Sequence, residues 1–173
     1  MSHQNWAGAD FTSGSAGGGV YLCHACERRG DCRLGLGREE LQPDGSVETT
    51  LVCAAEHEGG PGVAHGGWTA AMFDEVTGHV PLLNGQLSVT GTMRVTYVKP
   101  VPIERPLRAR AWVTDKDEKR WFVEGQLTLA STGALLGRAE AVMVLRDPGH
   151  FDRHRRWLAE QDALSGQPCE PAR

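Results

Sequence analysis

"GGPGVAHGGWTAAMFDEVTG", residues 59–78, sets five glycines and a proline around His65, then runs into an apolar stretch holding one Asp-Glu pair. A glycine-rich turn that opens a helix presents unpaired backbone N–H groups to a negative or partly negative atom. A carboxylate on a buried apolar helix is costly unless it is used or paired. Together the two features read as halves of a reaction site. The predicted helix runs from about Gly67 to Gly78. Trp68, Ala70, Ala71, Met72, Phe73, Val76 and Val80 occupy nearly every side of it, the pattern of a central helix.

Asp74 has Gly67, Ala70, Ala71 and Gly78 three, four and seven residues away, a stripe of small residues around one acid. Such a stripe admits a close partner, either a ligand or another backbone. The alternative is a stripe packed on a sheet, with Asp74 satisfied by hydrogen bonds. Glu75 points about 100° away from Asp74. On one helix, Gly67 and Asp74 lie about 10 Å apart along the axis, too far to act on one carbonyl. Two antiparallel helices related by a two-fold axis would bring the amide end of one chain to the acid of the other.

Working outward, a short strand is expected over Ser46–Cys53, preceded by irregular structure over residues 23–45 with a turn at Pro43–Gly45. Four segments with period-2 patterning follow the helix: "LSVTGTMRVTY" (87–97), "RPLRARAWV" (105–113), "WFVEGQLTL" (121–129) and "LLGRAEAVMVL" (135–145). In the first, unbroken alternation puts Thr90 on a polar face with Ser88, Thr92, Arg94 and Thr96. Short connections make the four segments a meander. The fold class is therefore α+β, an antiparallel sheet wrapped around one helix. Asp147-Pro148 reads as an N-cap with Pro at the first helical position, opening a surface helix over 147–164. The expected organisation is a flexible segment over 1–22, one domain over 23–146 with its core at 45–146, the helix, and a flexible tail over 165–173.

The chain has 173 residues, enough for one domain with a sizeable core. A net charge of −4, from 18 Lys and Arg against 22 Asp and Glu, gives no general attraction to nucleic acid or to an anionic membrane. No apolar run approaches the ~20 residues that span a bilayer. The start lacks a basic leader and an apolar signal core, so the expected location is cytoplasmic. Five cysteines, an odd number, fit reduced thiols better than a disulfide framework.

The stretch at 59–78 resembles the signature of the hotdog-fold acyl-CoA thioesterases, in particular their PaaI-like branch. That pattern is a glycine-rich loop, His-Gly-Gly, and an acid nine residues after the His. His65-Gly66-Gly67 and Asp74 match it, and in "SVTGTMRVTYVKPVP" Thr90, Tyr97, Lys99 and Pro100 fall on the family's next strand. The resemblance covers roughly residues 45–146. It implies obligate homodimers that often pair into dimers of dimers, with active sites at the dimer interface. It further implies that the N–H of Gly67 or Gly66 polarises the thioester carbonyl as an oxyanion hole, with the partner's Asp74 as general base or nucleophile. Thr90 would position the water or the acid, and His65 would orient the loop or the thioester. This chain departs from many relatives by holding Gly59, beside Glu58, where they place Asn or another polar residue. Glu58 and Gly59 are assigned with Lys99 to the substrate-binding loop and rim.

The implied function is hydrolysis of a small or medium acyl- or aroyl-CoA thioester, with acyl-CoA as partner and with neither cofactor nor metal. A non-catalytic acyl-thioester binding protein is the alternative; it would not need Asp74. Hotdog dehydratases pair a catalytic His with an acid at a different spacing, which is absent here. Cys23, Cys26 and Cys32, with His24, Cys53 or His57 as a fourth ligand, could make a zinc site only through tertiary placement. A packed cysteine loop is the simpler reading. The phosphates of CoA call for basic groups at the site mouth. Lys99 is the first candidate, with Arg105, Arg120, Arg138 and the 153–156 cluster behind it. Trp68, Met72, Phe73, Trp112, Trp121 and Phe122 are candidates to line an acyl tunnel.

Overall fold

The structure, a computed structural model, describes residues 31–165. Cys23, His24 and Cys26, the segment over 1–22 and the tail after Ser165 lie outside the described residues. The described chain divides into two units, the first closing at Leu145 and the second opening at Arg146.

The first unit is the α+β fold expected from the sequence. Its strands are β1 (Glu40–Leu41), β2 (Val47–Val52), β3 (Glu58–Gly60), β4 (Val63–Ala64), β5 (Ser88–Tyr97), β6 (Pro106–Lys116), β7 (Arg120–Leu129) and β8 (Leu135–Leu145), with helix α1 at Gly66–Leu83. Six strands form one antiparallel sheet in the order β1-β2-β6-β7-β8-β5, and β3 and β4 form a separate hairpin. β6, β7 and β8 are sequential neighbours, as short turns dictate. β5 follows α1 and lies beyond β8, so one flank of this ten-residue strand is a sheet edge.

α1 lies on the sheet face built by Leu107, Ala109, Ala111, Val123, Leu127, Ala139, Ala141 and Met143, all nearly or fully buried. It presents Met72, Phe73, Val76 and Val80 to that face, each at most 1% exposed. The small residues of the sheet make room. An added Cβ at Gly125 or at Gly137 would stand 3.2 Å from the Phe73 ring, so these two glycines form its seat. Burying a side chain of this size stabilises the fold by about 1.5–3 kcal/mol.

α1 begins one residue earlier than the sequence suggests and continues five residues beyond Gly78. Gly78 does not cap the helix: its open flank accommodates Met143, whose Cε would be 3.6 Å from an added Cβ. Burial of Val80, Pro81 and Leu83 carries the helix onward, packing that outweighs the local preferences of glycine and proline. Asn84 ends it, its side-chain amide donating to the carbonyls of Val80 and Gly45.

The second unit holds α2 (His150–Ser165). It starts three residues after the predicted N-cap, because Asp147 and Pro148 form a turn that precedes the helix. There Asp147 Oδ1 accepts the Gly149 N–H at 2.9 Å, and both carboxylate oxygens accept from Arg153. That pairing holds the Asp147 carboxyl at about 2.

Candidate active site

His65 is the N-cap of α1. With ψ at 138° its backbone is still extended, and its Nδ1 accepts the Gly67 N–H at 2.9 Å. Its carbonyl accepts the N–H groups of Trp68 and Thr69. An accepting Nδ1 places the ring proton on Nε2. Among the described residues the Gly66 N–H has no acceptor, and His65, Gly66 and Gly67 are all exposed. Gly66, not Gly67, therefore offers the open donor at this positive end of the helix.

The loop before the helix is the hairpin β3–β4, tied to the chain after β5 by Ala64 N–H to Val101 O and Ile103 N–H to Gly62 O. The Glu58 carboxylate accepts the Gly62 N–H, bracing the turn. An added Cβ at Gly59 would lie 2.7 Å from His65 Cα. No side chain fits there while the hairpin holds His65 as it does, which accounts for the glycine at this position.

Asp74 is not buried. The small-residue stripe borders the chain's own sheet rather than packing flat on it, with Gly67 and Asp74 exposed, Ala70, Ala71 and Gly78 half-buried, and Gly78 beside Met143. Because Asp74 lies at the exposed margin of that contact, the cost expected for a buried carboxylate does not arise within one chain. Asp74 Oδ1 accepts a hydrogen bond from Thr90 Oγ1 at 2.7 Å.

That contact depends on a β-bulge the alternating pattern conceals. β5 pairs with β8 as Thr90↔Met143, then Thr92↔Val142, leaving Gly91 unpaired. Directly paired residues share a face. Thr90 therefore lies on the helix-facing side with Met143, and Met93 (opposite Ala141), Val95 (Ala139) and Tyr97 (Gly137) follow on that same side. Unbroken alternation would have put Thr90 on the outer face; one extra residue re-aims it. β5 runs back along α1, so Thr90 meets Asp74 while Tyr97, at its far end, donates through its hydroxyl to Gly66 O at 3.0 Å.

Other predicted residues separate from this cluster. Lys99 is exposed and has no ion-pair partner among the described residues. Arg120 pairs with Asp117, Arg153 with Asp147 and Arg155 with Asp152. Trp68, Met72 and Phe73 are buried in the core, and Trp68 donates from its indole to Leu34 O. Trp112 and Phe122 belong to the outer sheet face, and Trp121 packs half-buried against the core. A groove of about 550 Å³ on that outer face, lined by Thr92, Arg94, Phe122, Glu124 and Glu140 among others, shares no residue with the His65–Asp74–Thr90 set. Cys32 and Cys53 are free thiols, and burial pushes Cys53 up to about 11. Among the described residues no group of three or more His, Cys, Asp or Glu is arranged to hold a metal, and no helix is long and apolar enough to cross a membrane.

Sequence reasoning missed a cluster on the next turn of α1. His79 contacts Glu39 through Nδ1 and Glu75 through Nε2, the latter at 3.2 Å. Burial alone would lower the imidazole; the charges and hydrogen bonds of Glu39 and Glu75 outweigh it and hold His79 at about 10. The Glu75/His79 spacing of four was visible in the sequence, whereas Glu39 arrives from a loop with no periodic signal.

An antiparallel sheet wrapped on one helix is the architecture of the hotdog fold. Residues 61–134 match the family model described as the thioesterase superfamily. Among curated proteins, the mouse (Mus musculus) acyl-coenzyme A thioesterase THEM4 is 26% identical over 91 residues, 53% of this chain and 39% of that protein. The chain thus spans about two-fifths of the length of that relative. Among solved structures, the PaaI protein of the E. coli phenylacetic acid degradation operon superposes with a TM-score of 0.63 at 16% identity, over 73% of this chain and 88% of that one. A hypothetical thioesterase protein from Streptococcus pneumoniae TIGR4, solved with coenzyme A, gives 0.59 at 21% identity over 63% and 84%. The hotdog fold inferred from the sequence is the fold of this chain.

Proposed function

We propose that this chain is an acyl-CoA thioesterase whose sites are shared between two copies. The observation that carries the reading is the Thr90–Asp74 hydrogen bond on an exposed, small-residue helix face, within a stretch that matches the thioesterase superfamily. One oxygen of Asp74 is held by Thr90 and the other remains for chemistry. Gly66 and Asp74 are eight residues apart, about 12 Å along one helix, so the donor of one chain serves the acid of the other. The small residues Gly67, Ala70 and Ala71 let the two helices approach, and the edge of β5, unpaired among the described residues, offers backbone groups to a second sheet.

In the site so assembled, the Gly66 N–H at the positive helix end stabilises the oxyanion that forms on the thioester carbonyl. The partner's Asp74 acts as general base, taking a proton from water as its oxygen adds to the carbonyl carbon, or as nucleophile, forming an anhydride that water then opens. Either way the C–S bond breaks, CoA leaves as its thiol, and the acyl group departs as the free acid. His65 fixes the first turn through its Nδ1, Glu58 and Gly59 hold the loop that carries it, and Lys99 supplies charge for the phosphates of CoA. Acyl groups of small or medium size, aliphatic or aromatic, are the substrate class.

Thiol release from acetyl-, hexanoyl-, palmitoyl-, phenylacetyl- and benzoyl-CoA, compared between wild type and Asp74→Asn, tests this. Turnover that falls by about 10²–10⁴ in the variant, the usual contribution of an acid or base, with the dimer intact, supports it. Binding of these esters without turnover in wild type would replace the enzyme by a non-catalytic acyl-thioester binding protein.

A further inference from the structure

The two faces of one peptide unit are held from opposite sides. The Gly66–Gly67 peptide, the first of α1, gives its N–H to His65 Nδ1 at 2.9 Å and takes the Tyr97 hydroxyl on its carbonyl at 3.0 Å. Both glycines are shaped by these partners. An added Cβ at Gly67 would stand 2.9 Å from His65 Nδ1, and one at Gly66 would stand 3.5–3.7 Å from Tyr97 Oη, Cε1 and Cζ. The tyrosine hydroxyl therefore reaches in from the end of an edge strand to fix the plane of this peptide. Tyr97 is itself 56% exposed, so its ring adds little to the core.

A peptide fixed at both its polar atoms cannot rotate, and its neighbour on the N-terminal side inherits that orientation through Gly66. The donor on that neighbour is the Gly66 N–H, which has no acceptor among the described residues. Glycine is the residue with the most backbone freedom to lose, so an exposed Gly-Gly pair at a helix start needs external restraint to hold a donor in one direction. We propose that Tyr97 is a positioning residue for this donor: its hydroxyl, acting through the Gly66 carbonyl, keeps the Gly66 N–H aimed at the carbonyl oxygen of the substrate. The assignment rests on the thioesterase reading above. β5 then supports both halves of the chemistry, the acid through Thr90 and the donor through Tyr97.

The test is steady-state turnover of the fastest ester in the panel by wild type, Tyr97→Phe, Gly66→Pro and the double variant, with free CoA as inhibitor and thermal unfolding as controls. Phenylalanine removes one exposed oxygen and leaves the ring, so the fold is retained. The expected result for Tyr97→Phe is a loss in kcat of about tenfold, the worth of one hydrogen bond, with KM and CoA inhibition changed less than about twofold. In the double variant the two losses should not multiply, because Tyr97 acts through the donor that Gly66→Pro removes. An unchanged kcat in Tyr97→Phe, or losses that multiply, would overturn the assignment while leaving the thioesterase reading in place. Absence of turnover by wild type on every ester would end both, and it is read in the wild-type arm alone.

Discussion

At the scale of single residues, the choice of oxyanion donor is the sharpest part of the proposal. The sequence allowed either Gly66 or Gly67; His65 Nδ1 occupies the Gly67 N–H, which leaves Gly66 as the proposed donor. This makes Gly66→Pro an informative substitution. Position 66 is the first of the helix, where proline is well tolerated, and His65 already has the extended backbone that a following proline requires. The variant should keep its helix content by circular dichroism and its thermal stability. Its kcat should fall by about 10²–10³, the effect of losing one oxyanion donor. Turnover close to wild type would assign the donor elsewhere.

At the scale of elements, the strands were the most legible part of the sequence. Alternation marked β5 to β8 to within a residue or so at most ends, because each strand buries one face and so carries the pattern on its surface. What stayed hidden has a local cause in each case. The Gly91 bulge leaves alternation nearly undisturbed in the letters, yet it moves Thr90 to the helix side. The continuation of α1 past Gly78 comes from packing of Val80 and Leu83, which no local rule announces. The exposure of Asp74 could not be read from an apolar helix, since the sequence does not say which side a chain's own sheet takes. Within the candidate site, the family resemblance pointed to His65, Asp74 and Thr90, whereas the Thr90–Asp74 and Tyr97–Gly66 contacts needed coordinates.

The Glu39–His79–Glu75 cluster ties the loop before β1 to α1 and carries a pH signature. His79 is raised from 6.5 to about 10, so between those values the folded chain binds more protons than the unfolded one. The stabilisation is fully present below about pH 6.5 and is lost as pH rises through about 10. Urea unfolding of wild type from pH 6 to 10 should show falling stability across this window, and His79→Gln should flatten that fall. Equal pH slopes in the two proteins would show that the contact contributes nothing.

At the scale of the whole molecule, the described residues of one chain leave three features open together: the acid, the helix-start donor and the edge of β5. A two-fold copy would complete all three at once, since each chain offers the donor to one site and the acid to the other. The most direct measurement follows from that geometry. Asp74→Asn and Gly66→Pro are each expected to be nearly inactive, for different reasons and on different halves of a shared site. Mixed at equal amounts and allowed to exchange subunits, half of the dimers carry one of each, with one intact site apiece. Recovery to about a quarter of wild-type thiol release is the predicted result for a site shared across a two-fold axis. Mixed dimers that form, as judged by differentially tagged copies, yet release no thiol would contradict it.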